Sequence, residues 1–428
     1  MTALTGVAAL CFLCFSIGMP IGFGMGLVGL VGLCWLLSPE AALNLAGAEI
    51  WNTLLKDQLA AIPLFVILAR VCACLGMDRD LFNLTEWFTA ENRGESAAAT
   101  LGATVATSGL CGTHGPYVRN NQDHGPPQPE GAENHRPVNR SAYSCGRAIA
   151  AAAPFSPVLI AYAVAADVPV GRMFWAGLLP AAALACLCGI LVHVACGGYG
   201  GSSLVTDPVR KRDTFGALAS VCFPAAIFCF VMVGPLTGKY SPAGAAALAV
   251  VLTVVVGLLR RKWERKASLS ALSEGLKEAS AIFVTVLGAV LWTGFLGVDG
   301  LPREIAEAAA AWSSHSWIPM IGVIIAAAVM GRLIDPLSVL LVSFPLFFPT
   351  ASRLGYDAVW YGVTIATAAG LGMVYGETRS TAVELDNGTL ERGRRWFRES
   401  WFLPAYAIVL IGLLVYPQGV SGAASFVK

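Results

Sequence analysis

The apolar residues of this chain gather into long runs, not into the alternation of strands or the narrow stripe of an amphipathic helix. A helix needs about 20 apolar residues to cross a bilayer. Runs of that kind occupy 58–77, 146–166, 172–196, 215–234, 242–260, 279–297, 359–376 and 401–416. The opening run, 5–37, is long enough for one tilted span or two short ones. Two other apolar stretches behave differently. Residues 97–112 are too short, and too rich in Gly, Ala and Thr, for an ordinary span. Residues 317–350 are interrupted near the middle by Arg332 and Asp335-Pro336. Proline breaks the helical hydrogen-bond ladder, and a charge at the bilayer centre is expensive. That interruption predicts a re-entrant hairpin whose tip is buried in protein or lines a wet cavity.

Composition sharpens this into a class. Only 13% of the 428 residues are charged, about half the share of a soluble domain, and the mean hydropathy is +0.67. The expectation is an all-α polytopic membrane protein. With 28 basic against 27 acidic residues there is no electrostatic footprint for nucleic acid. Of the twelve cysteines, Cys11, Cys14, Cys34, Cys72, Cys74, Cys186, Cys188, Cys222 and Cys229 lie inside apolar runs, where reduced Cys acts as a small hydrophobe. Cys11-Phe-Leu-Cys14 has CxxC spacing but no second pair or histidine to complete a zinc site. The chain holds no H-E-x-x-H, no G-x-S-x-G and no pair of intramembrane carboxylates at catalytic spacing, so an enzyme is not expected. The N-terminus opens apolar without a basic n-region and reads as a retained span.

Basic residues orient the spans. The loop Pro208-Val-Arg-Lys-Arg212, the cluster from Arg260-Arg-Lys262 to Arg265-Lys266, and Arg392-Gly-Arg-Arg-Trp-Phe-Arg398 all belong on the cytoplasmic side. From 260–266, span 279–297 exits and places 298–316 outside. If 317–350 crossed, span 359–376 would carry 392–398 outside. If 317–350 returns as a hairpin, those arginines fall inside. Charge therefore supports the hairpin independently of its broken sequence. Counting backward puts Arg136 and Arg140 inside, so 97–112 enters from the cytoplasmic face. Two hairpins entering from opposite sides, each followed by a crossing helix, make the inverted repeat of a secondary transporter.

Several segments resemble the large membrane subunit of tripartite ATP-independent periplasmic (TRAP) transporters. Gly18-Met-Pro-Ile-Gly-Phe-Gly-Met-Gly26 is similar to that family's first helix, and Ala61-Ile-Pro-Leu-Phe-Val-Ile-Leu-Ala69 with Gly76 to its second characteristic region. The segment from Ala161-Tyr162 to Gly171-Arg-Met-Phe-Trp-Ala-Gly-Leu-Leu-Pro180 resembles "GRLFLAGIxP", and Tyr240-Ser-Pro-Ala-Gly-Ala-Ala-Ala247 resembles "TPTEAAA". Gly331-Arg-Leu-Ile-Asp-Pro336, with Phe344-Pro345, Leu354-Gly355 and Gly362-Val363, resembles the "FLDP…VP…LG…GV" block. The motifs run in the family's order over nearly the whole chain.

The resemblance implies an elevator-type secondary transporter in the bacterial inner membrane. It implies sodium as coupling ion, no other cofactor, and uptake of organic acids such as dicarboxylates or sugar acids. The implied partners are a small four-helix membrane subunit and a periplasmic solute-binding protein. The implied organisation is scaffold-type helices over 1–96, a first hairpin and broken helix over 97–170, and connecting and scaffold-type helices over 171–316. A second hairpin and broken helix then occupy 317–400, and a C-terminal helix 401–428. Sodium is a hard cation wanting oxygen ligands, and half-helix N-termini favour carboxylates.

The family's first hairpin carries a Ser-Gly-Ser tip; here Ser108-Gly109 match, with Leu110 in place of the second Ser and His114 near a following Asp. Ser108 and Gly109 are candidate sodium ligands, or residues that allow close helix packing. The family's Pro-Pro-Ser break reads Pro154-Phe155-Ser156-Pro157 here, making Pro154 and Ser156 candidates for substrate binding, or parts of a kink satisfied by neighbouring helices. Asp335 belongs either to a sodium site or to an ion pair with Arg332. The Thr-Pro-Pro of the second broken helix is replaced around Met373-Val374-Tyr375. Beyond it, Arg379 contacts a substrate carboxylate or snorkels to the cytoplasmic surface.

The stretch 113–145 departs from the family by being polar and rich in Gly, Pro, Asn and His. It reads as a solvated loop; His114, His124 and His135 lack metal-ligand spacing. A locally shifted reading frame or a subunit that has lost transport also fits that composition. Besides the TRAP reading, the sequence leaves open a carrier that needs no binding protein and a non-transporting homologue.

Overall fold

The computed structural model describes residues 2–16, 18–77, 81, 85, 100–102, 104–105, 136–197, 214–236, 240–259, 265–312, 317–384 and 402–425. Every regular element among them is helical. The opening run forms two helices, α1 (Thr2–Ser16) and α2 (Ile21–Leu36), instead of one tilted span. They part at Gly18, in the left-handed region at φ 71°, and Pro20 at the start of α2. Helix α3 (Pro39–Leu54), which hydropathy did not predict, is N-capped by Ser38 and leads through a 3₁₀ turn (Asp57–Ala60) into α4 (Ala61–Cys74).

The next described helices are α5 (Arg136–Ala152), α6 (Pro157–Ala165), α7 (Val170–Gly197), α8 (Thr214–Leu236) and α9 (Pro242–Leu259). Apolar run 146–166 is thus a broken helix. Helix α10 (Arg265–Asp299) absorbs span 279–297 but begins earlier; its 35 residues extend about 50 Å, well beyond a hydrocarbon core. The outside loop expected over 298–316 contains α11 (Leu301–Trp312). The interrupted run becomes α12 (Trp317–Gly331) and α13 (Pro336–Arg353), and α14 (Ala358–Glu384), α15 (Leu403–Val415) and α16 (Pro417–Ser425) follow. Helix α14 runs unbroken through Met373, Val374 and Tyr375. With the proline pair gone, nothing there interrupts its ladder.

Six helices among the described residues are long and apolar enough to cross a membrane: 57–74, 142–165, 170–194, 242–259, 268–299 and 358–375. They divide by burial. Helix α9 turns Leu248, Val251, Leu252, Val255, Leu258 and Leu259 outward, a face that lipid covers without cost. Within 142–165, 94% of the most apolar 18-residue segment is instead buried inside the protein.

Close packing in the N-terminal half rests on small residues. Helices α2 and α10 meet so tightly that a β-carbon on Gly22 would lie 2.6 Å from the Thr285 Cα. One on Gly29 would lie 2.6 Å from the Leu291 carbonyl carbon. Lipid tails give helices no hydrophobic reason to associate, so such backbone contact supplies the dispersion energy that holds them. Outside the bundle, Glu307 on α11 accepts from Arg303 and, at 3.4 Å, from Arg353 at the end of α13. Those hydrogen bonds hold its carboxyl below the usual range.

Candidate functional site

Two interruptions of helix geometry define the site. The first separates α5 from α6. Ala153 N–H bonds Ala150 O and Ser156 N–H bonds Ala153 O, each at 3.2 Å, so the chain turns where Pro154 ends the ladder. Phe155 takes φ 64°, a left-handed conformation that costs a residue with a β-carbon roughly 1–2 kcal/mol. Its ring is held by three others: stacked on Phe65 of α4 at 5.3 Å, and edge-on to Phe174 of α7 at 4.9 Å and Phe228 of α8 at 5.3 Å. Ser156 follows in extended geometry (φ −59°, ψ 126°), and its hydroxyl accepts from Val158 N–H at 3.2 Å. With Pro157 at the first helical position, this is a capped helix start that is wholly buried.

The second interruption separates α12 from α13 at residues 332–335. Asp335 (φ −65°, ψ 151°) caps α13, again with a proline behind it. One carboxylate oxygen accepts from Ser338 N–H at 3.0 Å, the other from the Ser338 hydroxyl at 2.7 Å. Asp335 and Arg332 are both exposed, and no ion pair joins them among the described residues. The expected alternative of an Arg332–Asp335 pair is therefore corrected. A cap with two good donors within one turn satisfies the carboxylate without the arginine.

Helix α14 brings the two interruptions together. Gly362, Ala366 and Gly370 recur every four residues and share one face. Gly362 lies against the ring of Tyr162 on α6, and a β-carbon on Gly370 would lie 2.7 Å from Ala148 O on α5. The broken helix therefore lies along this face. On a neighbouring face, Gly331 of α12 abuts Ala369 O, and Gly372 abuts Ala328 O and the Arg332 amide. The hairpin tip thus rests on the stretch of α14 that the broken helix flanks. Tyr162 OH donates to Ala358 O at 2.8 Å and Tyr361 OH to Ser343 O at 3.0 Å, tying α6, α13 and α14 into one unit. Thr364 and Thr367 of α14 are fully buried there; Thr367 bonds Val363 O, whereas the Thr364 hydroxyl has no hydrogen-bond partner among the described residues.

The structure thus places Pro154 and Ser156 at the first break and Asp335 at the second, and the helices beside each break pack on α14. Arg379 lies in the last turns of α14, and its side chain is outside the described residues. Of the first hairpin, expected over 97–112, only 100–102 and 104–105 are described, with Thr104 against Gly146 of α5. Ser108, Gly109 and the stretch 113–135 lie outside the described residues.

Sequence reasoning passed over two charged contacts. Arg70, buried in α4, meets Glu274 at 3.0 Å and Glu278 at 2.8 Å on successive turns of α10. It is the only charge between Asp57 and Asp78, and a lone charge in an apolar run signals a partner elsewhere. Lys56 donates to Asp167 and to Val164 O at 3.1 Å, placing a cation at the C-terminal end of α6, where the helix dipole favours one.

Interrupted helices packed on a central helix, in an all-helical bundle with spans of membrane length, define a multi-pass membrane protein of the secondary-transporter class. Residues 8–375 match the family described as "Tripartite ATP-independent periplasmic transporter, DctM component". The chain belongs to that family, which makes it a transporter subunit and not an enzyme. It is 25% identical to the C4-dicarboxylate TRAP transporter large permease protein DctM of Pseudomonas aeruginosa, covering 82% of this chain and 81% of that one. It is 22% identical to the sialic acid TRAP transporter large permease protein SiaM of Vibrio cholerae, covering 81% and 80%. In fold it is similar to the Alcanivorax borkumensis YdaH transporter, with a TM-score of 0.53 at 15% identity over 89% of this chain and 88% of that one.

Proposed function

We propose that this chain is the large permease subunit of a sodium-coupled TRAP importer of organic acids in a bacterial inner membrane. It would act with a small four-helix membrane subunit and a periplasmic solute-binding protein. The observation that carries the reading is the meeting of the two helix breaks on α14. Breaks of this kind bring carbonyls, hydroxyls and helix N-termini to one place, the donor set that a hard cation and a carboxylate need. Asp335, with Ser108 and Gly109 of the first hairpin, supplies oxygens for sodium. Pro154, Ser156 and Arg379 are the proposed contacts of the organic anion. Two relatives support the substrate class: one is a C4-dicarboxylate TRAP transporter permease, the other a sialic acid TRAP transporter permease. In this reading 97–170 and 317–400 form the moving transport domain, and 1–96 with 171–316 the scaffold, as an elevator requires.

The test is thermal melting of the purified chain in detergent, with sodium titrated against potassium at constant ionic strength, for wild type and Asp335→Asn. A ligand at ~100-fold excess over its Kd stabilises the native state by about 2.7 kcal/mol. A sodium-specific rise in wild type that disappears in Asp335→Asn is expected. Identical melting in the two salts would remove the sodium site. Uptake into vesicles by this chain alone would remove the need for partners and favour a carrier that works without a binding protein.

A further inference from the structure

One buried pair of cysteines has no part in that function. Cys145 on α5 and Cys188 on α7 bring their sulfurs to 3.3 Å, both fully enclosed and both unoxidised. They lie 43 residues apart in sequence, so the fold alone brings them together. Their helices share one seam. Gly177 of α7 abuts Ala152 O at the end of α5. Cys188 lies eleven residues beyond Gly177, three helical turns on, and Cys145 seven residues before Ala152, two turns back. Each cysteine therefore sits on the face already used by its helix for this contact. A disulfide bond is about 2.05 Å long, so closure asks the sulfurs to approach by little more than an ångström.

We propose that Cys145 and Cys188 form an oxidative modification site, at which hydrogen peroxide closes an intramolecular disulfide between α5 and α7. The sulfur of one cysteine attacks a peroxide oxygen, the O–O bond breaks, and a sulfenic acid and one water result. The second sulfur then displaces the hydroxyl of the sulfenic acid as another water, and the S–S bond forms. Two thiol hydrogens and two electrons pass to peroxide, whose oxygens both leave as water. The product staples the arm of the first helix break to the helix beside it, and thiol reductants reverse it. This site is independent of substrate and coupling ion.

The experiment is peptide mass spectrometry on the full-length chain in detergent, reduced, exposed to hydrogen peroxide, and then blocked with N-ethylmaleimide. The expected product is a Cys145–Cys188 cross-linked peptide, lighter by about 2 Da than the two reduced peptides together and lost on treatment with dithiothreitol. The peroxide-treated wild type should also melt at a higher temperature than the reduced protein, and Cys188→Ser should show no such shift. Oxidation of other cysteines without this cross-link would overturn the proposal. So would conversion of Cys145 to a sulfinic acid while Cys188 stays free. Because the cross-link is read in the wild-type chain, a variant that fails to fold does not protect the proposal.

Discussion

The two helix breaks use the same backbone device with different chemistry. Each resumes its helix on a residue in extended geometry, followed by proline, whose side chain accepts the first free amides. In the first break the cap is a serine in the protein interior; in the second it is an exposed aspartate. Desolvation explains the division. A hydroxyl with one hydrogen bond can be buried, whereas a carboxylate taken from water without a counter-charge incurs a far larger penalty. The breaks also differ in how they are held open. Phe155 fixes the first by a strained backbone anchored in an aromatic cluster. The second needs no strain, since its tip lies against α14 through Gly331 and Gly372.

Exchanging the caps breaks this comparison most sharply. Ser156→Asp should destabilise the protein by about 3–5 kcal/mol through an uncompensated buried charge. Asp335→Ser should cost less than about 1 kcal/mol, because Ser and Asp cap helices nearly equally well. Thermal melting of the two variants in detergent measures the asymmetry. Equal losses would mean that the first break is wet enough to hold a carboxylate. Should Asp335 also serve sodium, Asp335→Ser would abolish the sodium-specific shift while leaving basal stability nearly intact, separating cap from ligand.

The aromatic anchor comes next. Phe155→Ala removes a buried ring at about 3 kcal/mol or more while keeping a β-carbon in the left-handed region. Phe155→Gly removes the ring but also the strain, so it should be the more stable of the two by about 1 kcal/mol. The opposite order would show that the backbone relaxes once the ring is gone, and that the cluster creates the left-handed turn.

The smallest effect concerns the seat of the second break. Gly372→Ala drives a β-carbon into Ala328 O and the Arg332 amide, which should cost about 1–3 kcal/mol by overpacking. Gly322→Ala, on the same hairpin with nothing within 4 Å of the added carbon, should stabilise by about 0.5–1 kcal/mol through helix propensity. Two changes of one methyl group with opposite signs would locate the hairpin seat. Losses of the same sign would place the seat elsewhere on α14.

Much of this architecture was legible beforehand because each cue was local. Hydropathy located the six helices of membrane length among the described residues, and Arg332 with Asp335-Pro336 marked the interruption between α12 and α13. Pro154 and Pro157 marked the first break, Pro154 by ending the ladder of α5 and Pro157 by suiting the first position of α6. The ordered motifs from Gly18 to Val363 pointed to the family that residues 8–375 match. Less legible were α3 and α11, which do not carry the long apolar run of a span, and the full length of α10. Composition marks the apolar part of a helix, not where its hydrogen bonding begins.

The sequence by itself determined that this is a multi-pass helical membrane protein resembling the TRAP large membrane subunit, with interruptions at Pro154–Pro157 and between Arg332 and Pro336. Those are properties of runs and single residues, and the bilayer's demand that every backbone polar group be satisfied translates them directly into structure. Only the tertiary structure decided what each interruption touches. It put the two breaks on one helix and exposed Asp335 as a cap instead of pairing it with Arg332. It enclosed Arg70 with two glutamates 204 and 208 residues away, and brought Cys145 to Cys188. Contacts of that range depend on how α14, α10 and α7 pack, and side-chain packing between distant segments leaves no periodic trace along the chain.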